Sequence, residues 1–179
     1  MVHFKILSDP ISNSKVSYKG LYRSEPYPKP LWNDEVFMLW HKYTSYVTKK
    51  PGITDEMTVD EMLRFVDTLT KYSDKAFELI YFSDEKVSLF NSDYYGIDIV
   101  GAGGYSVIGD MPTVYSDDKQ SADVYRFLHK SNLLNAYGLI KSIESATAAV
   151  EMMKSISDNS IEPEDWHIVH VYKVNSIQV

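Results

Sequence analysis

Trp166-His167-Ile168-Val169-His170-Val171-Tyr172-Lys173-Val174 is the stretch on which the fold class turns. Its β-branched and aromatic residues read as a strand, and it is the clearest strand in the chain. Successive side chains on a strand point to opposite faces. Trp166, Ile168, His170, Tyr172 and Val174 therefore share one face, and His167, Val169 and Val171 share the other. The two histidines suggest a metal pair, but ligands on opposite sides of one strand cannot hold one ion. No metal and no cofactor is expected.

Further strands lie upstream. Residues 3–7 and 16–22 have strand character, the second with Val16, Tyr18 and Tyr22 at even spacing. In the middle, Phe77–Phe82, Val87–Phe90, Tyr95–Val100 and Tyr105–Ile108 follow one another at hairpin-like intervals, which predicts an antiparallel meander. The proline-rich run Glu25-Pro26-Tyr27-Pro28-Lys29-Pro30 between the early elements reads as a rigid connector, because proline donates no backbone hydrogen bond.

Helices fill the intervals. Asn33 is a good N-cap, and Asp34 and Glu35 suit the positive end of a helix dipole. Val36, Leu39, Trp40, Tyr43 and Val47 line one face, and Pro51-Gly52 ends the element. Thr58-Val59-Asp60-Glu61 is a capping box opening a second helix with the stripe Val59, Met62, Leu63, Val66 and Leu69. Residues 119–131 predict a third helix with Val124, Phe127 and Leu128 inward. Residues 143–156 predict a fourth burying Ile143, Val150 and Met153, with Asn135–Ile140 before it as a short strand or turn. The expectation is an α+β fold, a mainly antiparallel sheet packed with about four helices, in a single domain spanning residues 1–179.

The chain has 179 residues, no cysteine and 44% apolar residues, enough for an ordinary core without disulfides. The missing thiols exclude thiolate zinc sites and a cysteine nucleophile. Lys5 and Asp9 break any apolar stretch at the start, and no run approaches the ~20 residues of a membrane helix. A soluble, cytoplasmic protein is expected.

Net charge is −7, and residues 91–179, with 12 acids and 6 bases, hold most of it. Such a half repels a phosphate backbone, so no nucleic acid and no membrane is expected as a partner, despite the modest positive group Lys15, Lys19, Arg23 and Lys29. Asp55, Glu56, Asp60 and Glu61 gather around a helix start, where the dipole favours them. Asp110, Asp117 and Asp118 read as loop residues, and Asp158, Glu162, Glu164 and Asp165 lie in the loop before the last strand, where no helix dipole calls for them. These two groups are the best candidates for a surface that meets a basic partner. Tyrosine is abundant, 14 in all, with clusters at Tyr18, Tyr22 and Tyr27, at Tyr43 and Tyr46, and at Tyr94 and Tyr95. Tyrosines serve recognition surfaces and amphipathic core edges alike. Tyr94 and Tyr95 join the acidic residues as candidate partner-binding positions.

Catalytic motifs fail on inspection. Gly101-Ala102-Gly103-Gly104 lacks the third glycine of a dinucleotide fingerprint, since position 106 is Ser106. A phosphate loop would need lysine after Gly109, where Asp110 stands. Gly104-Tyr105-Ser106-Val107-Ile108 misses the second glycine of a nucleophile elbow. Asp93 and Asp98 could form a carboxylate pair if the fold brought them together. No enzyme activity is expected.

Tyr95-Gly96-Ile97-Asp98-Ile99-Val100-Gly101 with Gly104-Tyr105-Ser106, and Tyr137-Gly138-Leu139 leading into a helix and a closing aromatic strand, resemble the immunity proteins of bacterial toxin–immunity systems, including contact-dependent inhibition. The resemblance implies a small cytosolic protein that binds a cognate toxin domain, such as a nuclease, and blocks its active site. Two other readings stand beside it. One is a small enzyme or ligand-binding domain with a pocket near the Gly101–Gly104 hairpin, and the other is a structural or phage-associated subunit.

Overall fold

The computed structural model describes residues 2–7, 34–48, 57–72, 76–100, 119–156 and 166–176. In chain order the elements are β1 (Val2–Leu7), α1 (Asp34–Thr48), α2 (Val59–Tyr72), β2 (Glu78–Ser83), β3 (Asn91–Val100), α3 (Lys119–Lys130), α4 (Ile143–Ile156) and β4 (His167–Ser176). The four strands form one antiparallel sheet in the order β1-β2-β4-β3. With the four helices this is an α+β fold, as the residue pattern predicts. The expected strand at 16–22, the connector at 25–30 and the segment Tyr105–Ile108 lie outside the described residues.

The meander is corrected. β2 and β3 follow each other in the chain but do not pair, because β4 lies between them. Two strand spacings separate β2 from β3, about 10 Å. A tight turn cannot span that, and residues 84–90 bridge it as a loop. Val87–Phe90, expected to be a strand, is part of this bridge and has no strand partner. β4 takes the inner position because Val169, Val171, Tyr172 and Val174 are all buried, with Val169 and Val171 in one core and Tyr172 and Val174 in another. An edge strand would leave part of that apolar surface in water. β2 is inner for the same reason and is buried at every position.

The sheet separates two cores. On one side Ile6, Leu79, Tyr81, Tyr172 and Val174 meet Val36, Leu39 and Tyr43 of α1 and Met62, Phe65, Val66 and Leu69 of α2. On the other, Leu7, Ile80, Phe82, Val169 and Val171 meet Val124 and Leu128 of α3 and Ala146, Ala149, Val150 and Met153 of α4. The capping box of α2 forms as read: the Glu61 N–H donates to Thr58 Oγ1 and the Thr58 N–H donates to Glu61 Oε2. The stripe of α2 differs from the expected one, since Phe65 is fully buried while Val59 and Leu63 are half-buried. Phe127 is 37% exposed rather than inward. Val124 and Leu128 set the buried line of α3, and Phe127 is rotated about 100° from Leu128. Ile143 is 44% exposed, in the first turn of α4, where the chain enters from the exposed Lys141 and Ser142 caps the helix.

Both edges of the sheet are closed by side chains. In β1 the N–H groups of Phe4 and Ile6 point away from β2. They donate to the hydroxyls of Tyr46 (3.0 Å) and Tyr43 (2.9 Å) on α1. Two residues of strand and three of helix advance by comparable lengths, about 6.6 and 4.5 Å, so one tyrosine pair serves both donors. Burial pushes the Tyr43 hydroxyl far above its ordinary value. At the other edge β3 carries a bulge between Tyr94 and Gly96. Gly96 has φ +145°, and a Cβ there would meet Asn135 Nδ2 at 2.6 Å and Leu139 Cβ at 2.8 Å. This close approach lets Asn135 Nδ2 donate to the Tyr95 carbonyl (2.7 Å), while Ile97 and Ile140 exchange backbone bonds of 3.1 and 2.8 Å.

Tyr43→Phe leaves the buried Ile6 N–H without its acceptor and should lower stability by about 1–3 kcal/mol in urea unfolding, with Tyr46→Phe, on the half-buried partner, losing less. A second expectation concerns acid. Glu61 is held at about 2, below its ordinary 4.5, chiefly by the Lys42 ammonium and next by the Thr58 N–H. A carboxyl depressed in the fold stabilises above its unfolded value and loses that contribution as pH falls through its folded one. The urea-midpoint gap between wild type and Glu61→Gln should be widest above pH 4.5 and shrink as pH is lowered toward about 2.

Candidate functional site

One row of aromatic rings crosses all four strands. Phe4 faces Tyr81, Tyr81 faces Tyr172, and Tyr172 faces Tyr94 in the register. Ring centroids are 5.9 Å apart for Phe4–Tyr81, 4.8 Å for Tyr81–Tyr172 and 5.1 Å for Tyr172–Tyr94. Directly opposed side chains are the unit of sheet stabilisation, and aromatic pairs add about 0.5–1.5 kcal/mol each beyond their buried area. Burial first, and the neighbouring Tyr81 and Tyr94 next, push the Tyr172 hydroxyl up.

The row reaches the surface at Tyr94, which is 38% exposed. Its hydroxyl lies 3.0 Å from Nδ1 of His170, and the Nζ of Lys86 sits 4.9 Å above its ring. His170 is one of four buried polar residues among those described, with Glu78, Ser83 and Asp98. Burial, with the Lys86 charge second, holds the imidazole below its ordinary 6.5, and burial raises the Tyr94 hydroxyl. A neutral imidazole can accept the Tyr94 proton at Nδ1. The exposed Val87 and Leu89 belong to the same bridge as Lys86.

The bridge itself is fastened to the row. The Leu89 N–H donates to the Tyr81 hydroxyl (3.1 Å), which lies 3.2 Å from Ser92 Oγ, itself 2.9 Å from Ser88 Oγ. Ser88 Oγ donates to the Phe90 carbonyl (2.9 Å), and the Phe90 ring stands edge-on to Tyr81 at 5.4 Å. These bonds take the place of the strand pairing expected for Val87–Phe90.

Of the positions expected to meet a partner, Tyr94 is at the surface. Tyr95 is not: it is 4% exposed, and its hydroxyl donates to Glu78 Oε2 (3.0 Å), with Lys173 Nζ 3.9 Å from the same oxygen. The bulge inserts Tyr95 as an extra residue and turns its ring into the core. Asp110, Asp117, Asp118, Asp158, Glu162, Glu164 and Asp165 lie outside the described residues, as does the Gly101–Gly104 hairpin. Asp93 and Asp98 are not brought together. Five residues of strand separate them, about 16 Å. Asp93 is exposed opposite Lys173, whereas Asp98 is fully buried opposite Val169 and its Oδ1 accepts the Ile99 N–H at 2.7 Å. His167 is exposed and His170 buried. Among the described residues no group of three metal-ligating side chains gathers, and no helix is long and apolar enough to cross a membrane.

Lys86 has no motif around it, and its approach to Tyr94 depends on where the bridge lands. His170 was visible as a polar residue on the Tyr172 face of β4, which is the signal that marks it.

Tyr81→Phe keeps the ring stack and removes the acceptor of the Leu89 N–H, so exchange of that amide with deuterium should speed up about tenfold, with a stability loss near 1 kcal/mol. The chain matches no protein-family model, and neither the curated proteins nor the solved structures give a significant match to it.

Proposed function

We propose that this chain acts by binding rather than by catalysis, as an immunity-type inhibitor that covers the active site of a basic toxin domain such as a nuclease. The observation that carries the reading is where its acidic sequence meets the sheet. The segment holding Asp110, Asp117 and Asp118 follows Val100, and the segment holding Asp158, Glu162, Glu164 and Asp165 precedes His167. Val100 and His167 are register partners, so both acidic segments join the sheet at neighbouring points. The two segments carry seven carboxylates in sequence, and such charge favours a cationic surface and speeds its approach. Tyr94 lies six residues along β3 from that end, about 20 Å. A standard interface, about 800 Å² on each partner, is roughly 30 Å across and can take in both. A rigid, half-exposed tyrosine is the kind of anchor such interfaces use.

The test is co-purification with the product of the adjacent gene, followed by kinetics on the complex. Neutralising Glu162, Glu164 and Asp165 together should slow association severalfold at low salt and little at high salt. Tyr94→Ala should weaken the complex by about tenfold, mainly through faster dissociation. A neighbouring-gene product that does not bind would overturn the reading, and an unchanged association rate would remove the 162–165 segment from the interface.

A further inference from the structure

His170 is placed as a proton sensor would be. It is 6% exposed, and Tyr94 is its hydrogen-bond partner, hydroxyl to Nδ1. Among the described residues no carboxylate forms an ion pair with the ring. The described groups around it are neutral or cationic. Tyr94 approaches from β3, Ser83 stands opposite on β2, Tyr172 is two residues on along β4, and Lys86 comes from the bridge. Asp84 and Glu85, also in the bridge, are exposed. Asp93 and Asp98 stand opposite Lys173 and Val169, which occupy the other face of β4. The ion pair of α1 and α2 joins Lys42 to Glu61, and Glu144, Glu151 and Lys154 of α4 are exposed.

We propose that His170 is a proton-operated latch: when its imidazole takes up a proton, Tyr94 and the Lys86 side chain above it leave their places on the sheet. In the neutral ring Nδ1 can accept the tyrosine proton, whereas in the imidazolium both nitrogens are donors. The Tyr94 hydroxyl must then turn from donor to acceptor. The new charge sits in a buried place, beside a lysine, with no carboxylate of the described residues ion-paired to it. Lys86 is exposed and can swing away, and Tyr94, already at the surface, can follow it. The direction fits: burial and Lys86 already disfavour the protonated ring. A histidine held below its unfolded value contributes fully above that value, 6.5 here, and its contribution is lost as pH falls beneath it. Mild acid therefore rearranges the aromatic surface while the rest of the sheet stays paired. The latch belongs to the free chain and goes beyond the binding reading; it can hold or fail whatever the partner is.

The test is aromatic NMR on the free, full-length chain from pH 8 to 5, following His170 Cε1 and the Tyr94 ring carbons. The Tyr94 resonances should move in one step with the His170 midpoint, below pH 6.5, and the step should vanish in His170→Gln. Lys86→Gln, at an exposed position that leaves the fold intact, should raise the His170 midpoint. A Tyr94 ring that stays put while His170 titrates overturns the latch, as does a step surviving in His170→Gln. An unmoved midpoint in Lys86→Gln, or a His170 that stays neutral until the chain unfolds, overturns it equally.

Discussion

Tyr81 lies flat against Tyr172, the planes 6° apart, at the junction of the two inner strands. Most of the architecture depends on this contact. It fixes β2 and β4 in register, which leaves β1 and β3 to the flanks and forces residues 84–90 to bridge over a strand. It also buries two hydroxyl-bearing rings at once, and each hydroxyl must find a use. That of Tyr81 fastens the bridge through Leu89 and Ser92, and Tyr172 passes the row on to Tyr94. The surface site is therefore the outer end of a core interaction, and its geometry is set from within.

The tyrosines gain a common meaning from this. Tyr43 and Tyr46 close the β1 edge, Tyr81 and Tyr172 stack in the sheet, and Tyr95 donates to a buried glutamate. Tyr43, Tyr46, Tyr81 and Tyr95 each combine a large apolar ring with a hydroxyl that bonds a neighbouring polar group. Of the tyrosine clusters among the described residues, Tyr94 is the member that turns toward solvent to a useful degree while remaining tied to the core.

The elements were legible in the sequence where their causes are local. The α2 start could be read because Thr58 and Glu61 cap each other across three residues, and the helical stripes because Val36, Leu39 and Tyr43, or Val150 and Met153, recur at helical spacing. The alternation of residues 166–174 revealed β4 but not its neighbours. Strand order depends on which surfaces can be left wet, and that balance is struck between β2 and a strand more than eighty residues later. The same distance hid the site. Tyr94 and Tyr95 look alike in sequence, yet a one-residue bulge sends one outward and the other into the core. Gly96 was the local hint, since its conformation and the crowding by Asn135 and Leu139 accompany that bulge. The acidic candidates lie in segments that adjoin Val100 and His167 in the chain, and the pairing of those two residues is one that no local pattern announces.

The interleaved strand order also governs how the chain comes together. A meander can grow one hairpin at a time, each strand pairing with the last. Here β3 has no seat beside β2, and it waits for β4, which follows two helices later. β1 and β2 are likewise brought together across α1 and α2. Each pairing among the described strands closes a long loop, so the entropic toll falls before any of them repays it. Assembly is thus close to all-or-none: no pair of adjacent strands among those described is a self-sufficient intermediate, and β4 is the one that joins the halves.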